Sequence, residues 1–267
     1  MDASFRPDGE FLVPSPSTAG PWSDQMIGGH HIGGLVAWGI ERDYSEPDFQ
    51  VARLTIDMFR PVPMRPLKVL TRPARTGRRV RAVEVSVLDG EVEVTRASAL
   101  LLRRSEHPDG EPWTPEPWDV PDPDDVASIP NAGEMSWEIR RIADWDVGQG
   151  KVWLRERSEF VAGQALTPFL RAAVFADFAH PLANSGRAGL AFINADLTMY
   201  LARYPNGEWI GMETTGHVGT EGIAVGTAWL YDREGRIGHV VVSAIPDPRI
   251  QQRYHSDAPA LPTARPT

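Results

Sequence analysis

The chemistry open to this 267-residue chain starts with one carboxylate. In TPFLRAAVFADFAHP, residues 167–181, Asp177 shares a helical stripe with Leu170, Ala173 and Val174. An acid on an apolar stripe has its pKa raised, which suits a general base acting on water. The other reading is a structural acid paired with His180, Arg171 or Arg187. A second constellation is MIGGHHIGGLVAWGI, Met26–Ile40, where His30 and His31 sit among five glycines. Adjacent histidines point in different directions, whereas paired ligands on a helix stand three or four apart, so no metal site is expected. The third is TRPARTGRRVR, residues 71–81, with five arginines. They suit either phosphate binding or the solvated charges that keep an edge strand from aggregating.

Composition narrows the classes. A net charge of -9 argues against nucleic acid as the main partner, because phosphate-backbone binding rests on excess Lys and Arg. There is no cysteine, so disulfides, thiolate nucleophiles and Cys-ligated zinc are excluded. MDASFRPDGEF lacks the basic-then-apolar pattern of a signal peptide, and no apolar run approaches the ~20 residues of a membrane span. A cytoplasmic protein without membrane insertion is the expectation.

The elements that must position these groups are written twice. After a short lead-in, Gln25–Glu41 reads as a helix, followed by strands Phe49–Phe59, Leu67–Thr76, Arg79–Leu88 and Val92–Leu102. Residues 106–133, dense in Pro and Asp, read as a surface linker pinned by Trp113 and Trp118. The second half gives a strand Lys151–Phe160 and a helix capped by Thr167, opened by Pro168 and stopped by Pro181. Strands Ala191–Leu201, Trp209–Val218, Ile223–Tyr231 and Gly238–Ile245 complete it. The pattern A-x-L-T-x-x-x-x-R occurs at Ala52, Leu54, Thr55, Arg60 and again at Ala195, Leu197, Thr198, Arg203, and Ser98-Ala99 is answered by Ser243-Ala244. Agreement at two places, at an offset of about 140 residues, indicates a duplicated domain. The halves are residues 1–105 and 134–250, with a poorly ordered tail at 251–267.

A helix as apolar as Phe169–Ala179 must be buried on most sides, and an antiparallel sheet curled around it meets that demand. The α+β class expected is therefore a double hotdog, two fused halves forming one continuous curved sheet. GGHHIGGL, RLTIDMFRPVP, INADLTMYLARYPNGEWIGMET and LYDREGRIGHVVVSA together resemble the TesB-like acyl-CoA thioesterase superfamily. The resemblance implies hydrolysis of an acyl-CoA thioester without metal or redox cofactor, in a homodimer or higher oligomer. It implies a carboxylate on the second helix, a hydroxyl on the next strand and a glutamine on the last.

Asp177 matches the carboxylate. The hydroxyl position falls on Asn194, whose amide would orient water or the carbonyl, and the glutamine position falls on Val242 or Ser243. Asn194, Asp196, Thr198 and Tyr200 alternate onto one strand face and Leu197 and Met199 onto the other, so Asn194 reaches the site only if its face borders the inter-domain crevice or a bulge breaks the alternation. Asp196 is read as a supporting residue and Ser243 as a possible site hydroxyl. His30 occupies a glutamine position of relatives and is expected to touch substrate, with Gly29, Gly33 and Gly34 allowing close approach and Arg78 and Arg79 meeting the phosphates of CoA. The missing hydroxyl and glutamine leave a second reading, a non-catalytic acyl-thioester binding protein. A hydratase would need Asp177 and His180 to converge on substrate.

Overall fold

Strands bounded by Gly and Pro turns supply most of the secondary structure among the described residues. The computed structural model describes residues 2–110, 112–128, 136–143, 149–187 and 189–247. In the first half, β1 (Phe5–Asp8) and β2 (Phe11–Pro14) precede α1 (Gly29–Tyr44). Then come β3 (Phe49–Met58), β4 (Leu67–Thr76), β5 (Val80–Asp89) and β6 (Val92–Arg103). The second half has β7 (Trp137–Ala143), β8 (Lys151–Glu156), α2 (Pro168–Ala176) and α3 (Ala179–Asn184). It continues through β9 (Phe192–Asn194), β10 (Asp196–Leu201), β11 (Ile210–Thr220), β12 (Ile223–Asp232) and β13 (Gly235–Pro246). The β5–β6 turn needs Gly90, whose φ of 60° is disfavoured for residues with a Cβ.

These thirteen strands join one sheet, in the order β1-β2-β4-β5-β6-β3-β10-β13-β12-β11-β8-β7, with β9 beside β13. The second half of that order mirrors the first, as a duplicated unit related by a two-fold requires. The halves meet where β3 pairs antiparallel with β10, Thr55 opposite Thr198. These are the threonines the repeat puts in correspondence, and their hydroxyls touch at 3.1 Å, on the internal dyad. Both copies of the motif's first alanine are bulge residues. Val51 and Arg53 face consecutive residues Leu101 and Leu100 of β6, leaving Ala52 extra. From Asn194 to Thr198 is four steps, answered on β13 by three, from Ala244 to Val241, which leaves Ala195 extra.

The sheet wraps two central helices. Leu54, Ile56, Val83, Val85, Ala97 and Ala99 close around α1, and Leu197, Met199, Ala228, Leu230, Val240 and Val242 around α2, all buried. Every residue of α2 from Phe169 to Ala176 is buried. The Thr167 hydroxyl accepts from Leu170 N–H at 3.1 Å, so Thr167 caps α2 as its sequence predicts. The helices cross where a Cβ on Gly33 would collide with the Ala173 carbonyl, and a Cβ on Gly34 would enter the Phe160 ring. Close crossing, rather than helix propensity, accounts for glycine there.

Several expectations change. Ser23–Ile27 is a strand and α1 begins at Gly29, because Gly28 is extended and held to the Thr18 carbonyl at 2.9 Å. The lead-in forms the β1–β2 hairpin, the counterpart of β7–β8. Pro181 does not stop a helix; it lies in the first turn of α3, where its missing N–H costs nothing. Trp118 is pinned, stacked on Tyr231 at 4.0 Å, whereas Trp113 is 85 % exposed. The tail and residues 129–133 lie outside the described residues.

Candidate active site

The end of α2 delivers Asp177 to the start of α1. A Cβ placed on Gly29 would lie within the Asp177 carboxylate, so only glycine lets the two approach. The Ala195 bulge turns Asn194 inward, and its Nδ2 donates to Asp177 Oδ1 at 2.8 Å. Without the extra residue, alternation would put this amide on the outer face. Burial pushes the Asp177 carboxyl up to about 6, with the Asn194 amide pulling the other way. The surroundings are aromatic. Trp137 stands edge-on to Phe178 at 5.7 Å, to Phe175 at 6.3 Å and to His30 at 6.1 Å.

α1 has no side-chain cap, and the Gly28 carbonyl takes the N–H groups of His31 and Ile32 at 3.0 and 3.3 Å. The N–H groups of Gly29 and His30 meet no acceptor among the described residues. Two orphan donors at the positive end of a buried helix, beside a carboxylate, are placed to bind developing negative charge. The ring of His30 lies 3.9 Å from that of His31. Burial holds His30 down at about 4 and His31 well below its usual value, so both are neutral at pH 7. His30 Nε2 is buried with no partner among the described residues. His31 is packed between Phe5 and Phe160, a structural role. No group of three or more His, Asp or Glu side chains among the described residues could hold a metal ion.

Other expected site residues lie elsewhere. Ser243 is on the outer sheet face, opposite the buried Val242 and Ala244, and its N–H binds Asp196 Oδ1 at 2.7 Å. Strand period places it there, so the glutamine position that faces the core is Val242. Asp196 thus supports the bulge. Gly33 and Gly34 face protein, not a ligand cavity. Arg78 and Arg79 line a groove of about 660 Å³ with Arg75, Arg103 and Arg104, near the far end of α1. His180 does not join Asp177. Its Nε2 donates to the Phe192 carbonyl at 3.0 Å and its Nδ1 accepts from Asn184 at 2.9 Å, an assignment set by those partners. That arrangement removes the geometry a hydratase would need.

Family models of the acyl-CoA thioesterase N-terminal domain and C-terminal domain match residues 18–102 and 103–241. The chain belongs to the acyl-CoA thioesterase family. Among solved structures, this family member is similar to a TesB protein of Mycobacterium avium subsp. paratuberculosis, at 17% identity over 91% of this chain and 96% of that one, TM-score 0.68. It is similar to acyl-CoA thioesterase II of Mycobacterium marinum, at 16% identity over 82% and 90%, TM-score 0.60. A hot dog protein of unknown function from Alicyclobacillus acidocaldarius matches at 16% identity over 92% and 97%, TM-score 0.67. At these identities the likeness is one of fold, the double hotdog. No curated protein matches the sequence significantly.

Within the family fold, two features of the site escaped the sequence. The glycine-rich entry to α1 suggests exposed N–H donors at a helix start, but which pair they are was hidden because Gln25–Ile27 continued the helical pattern past its true start. The Trp137 wall was hidden because β7, WEIRRIA, carries charges at three of seven positions.

Proposed function

We propose that this acyl-CoA thioesterase family member hydrolyses an acyl-CoA thioester through Asp177. The observation that carries the reading is the Asp177 carboxylate, raised to about 6 and held by Asn194 against the uncapped start of α1. Ionised at pH 7, it takes a proton from water as the water oxygen bonds to the thioester carbon. The carbonyl oxygen becomes an oxyanion and receives the Gly29 and His30 N–H groups. The C–S bond then breaks, the carbonyl re-forms, and Asp177 returns its proton to the departing thiolate, leaving free acid and CoA. Asn194 fixes the carboxylate that does this, and neutral His30 offers Nε2 to the substrate.

The test is turnover on a panel of acyl-CoAs. Asp177→Asn should lower kcat by about 10²–10⁴, the usual contribution of a general base, with circular dichroism unchanged. Wild-type kcat/KM should rise with pH through about 6 and level off, because only the ionised carboxylate accepts the proton. One observation favours a second reading. The core-facing residue at the family's glutamine position on β13 is the apolar Val242, with no amide or hydroxyl to assist. Calorimetric binding of an acyl-CoA by wild type with no turnover on any of the panel would establish that reading, an acyl-thioester binding protein, and overturn the first.

A further inference from the structure

The internal dyad that carries α1's start and Asp177 to one end of the molecule also creates a counterpart at the other end. There, Glu41 on the last turns of α1 meets the start of α2. The Thr167 hydroxyl, capping α2, donates to Glu41 Oε2 at 2.6 Å, as Asp177 abuts the first residue of α1. On β3, Val51 precedes the bulge residue Ala52 as Asn194 precedes Ala195. Phe49 likewise matches Phe192, each two residues before its inward-facing position. A cavity of about 220 Å³ opens at this counterpart, lined by Glu41, Tyr44, Phe49, Val51, Leu101 and Tyr204. Burial raises the Glu41 carboxyl more than the Thr167 hydroxyl lowers it. Glu46 and Arg104 also line the cavity.

Arg104 lines both this cavity and the groove of about 660 Å³, making them neighbours. Around the groove, Arg72, Arg81 and Arg103 have acidic partners in Glu84, Glu46 and Asp48. Arg75, Arg78 and Arg79 are exposed and have no carboxylate partner among the described residues. Protection of a sheet edge explains part of this run, since β2 pairs with β4 only at Leu67 and Lys68. It does not explain why the hairpin end faces Arg103 and Arg104 across a groove whose volume falls in the range of small-molecule sites, about 300–1,000 Å³. Guanidinium groups gathered without counter-charge in a chain of net charge -9 suit a multiply charged phosphate ligand.

We propose that the groove and the adjoining cavity form a second, non-hydrolytic site for a phosphorylated nucleoside bearing a small apolar group. Its phosphates lie on Arg75, Arg78 and Arg79 and its apolar end lies among Tyr44, Phe49 and Tyr204. The choice of a CoA thioester as that ligand rests on the thioesterase reading; another nucleotide conjugate carrying a small apolar group shares the same chemistry. The site does not hydrolyse, because Val51 stands where Asn194 would hold a water or a base, and Glu41 is already engaged by Thr167. It is separate from the first site: Gly29 and Glu41 lie twelve residues apart on α1, about 18 Å at 1.5 Å per residue.

Calorimetry on the full chain tests this, with acetyl-CoA, adenosine 3′,5′-bisphosphate and inorganic pyrophosphate as probes. Asp177→Asn should bind adenosine 3′,5′-bisphosphate as wild type does, while the triple variant R75A/R78A/R79A should lose at least about tenfold, with affinity falling as salt rises. Acetyl-CoA bound tighter than the bisphosphate identifies a thioester as the ligand; equal affinities show that the cavity takes no part and overturn the joined site. Equal binding by wild type and the triple variant, or pyrophosphate as tight as the nucleotides, overturns the proposal. So does loss of binding in Asp177→Asn alone. Absence of hydrolysis with arginine-dependent nucleotide binding sinks only the thioesterase reading. Hydrolysis with unchanged binding in the triple variant sinks only the second site.

Discussion

At the scale of residues, the carboxyl of Asp177 has a consequence beyond the proposed reaction. Its pKa of about 6 in the folded protein lies above the ordinary value of 3.8. Below 3.8 it is protonated in folded and unfolded chains alike, and the fold bears no cost. As pH rises, the unfolded chain releases this proton first, so stability falls until the folded carboxyl ionises near 6 and is constant above it. Two units correspond to roughly 3 kcal/mol at most. Asp177→Asn, which cannot ionise, should therefore raise Tm relative to wild type at pH 8 and much less at pH 4. Equal Tm differences at the two pH values would contradict the assignment of burial as the cause. Asp177 was legible in the sequence because a lone acid in FLRAAVFAD has no hydrophilic face to occupy. The role of Asn194 was not, since the alternation of its strand gave the wrong side and the bulge that corrects it depends on pairing with β13.

At the scale of elements, the glycines of α1 set how closely the central helices cross. Ala at position 33 would gain about 1 kcal/mol of helix propensity. Its methyl would meet the Ala173 carbonyl, backbone that cannot swing aside, and overpacking of this kind costs about 1–3 kcal/mol. Gly33→Ala is expected to lower Tm and the urea midpoint despite the better helix former; a rise in either would show that the helices can separate without loss. The repeat of helix and four-stranded meander was readable from Pro and Gly turns and strand-period runs. The β1–β2 hairpin was not, because RPDGEFLVP is short and polar, and its pairing is completed from outside: Phe5 N–H binds the Phe160 carbonyl at 2.8 Å.

At the scale of the whole molecule, neither half closes its own core. α1 packs on α2, β3 has its free edge covered by β10, and β1 bridges to Val161 of the second half. Residues 1–105 expressed alone should fail to give a stable monomer and should show a cooperative unfolding transition only when residues 106–267 are supplied; a monomeric, cooperatively unfolding fragment would refute this interdependence. The sequence by itself determined the duplication, the helix-in-sheet architecture, the capping of α2 and the carboxylate on its apolar stripe, because each follows from periodicity or local backbone chemistry. The tertiary structure alone decided which end of the molecule each group occupies. It moved Arg78 and Arg79 away from Asp177 and put Ser243 on the outer face, turned Asn194 inward, and exposed two N–H groups at the start of α1. These outcomes depend on register, bulges and the crossing of two helices, which arise from contacts between residues far apart in the chain and have no local signature.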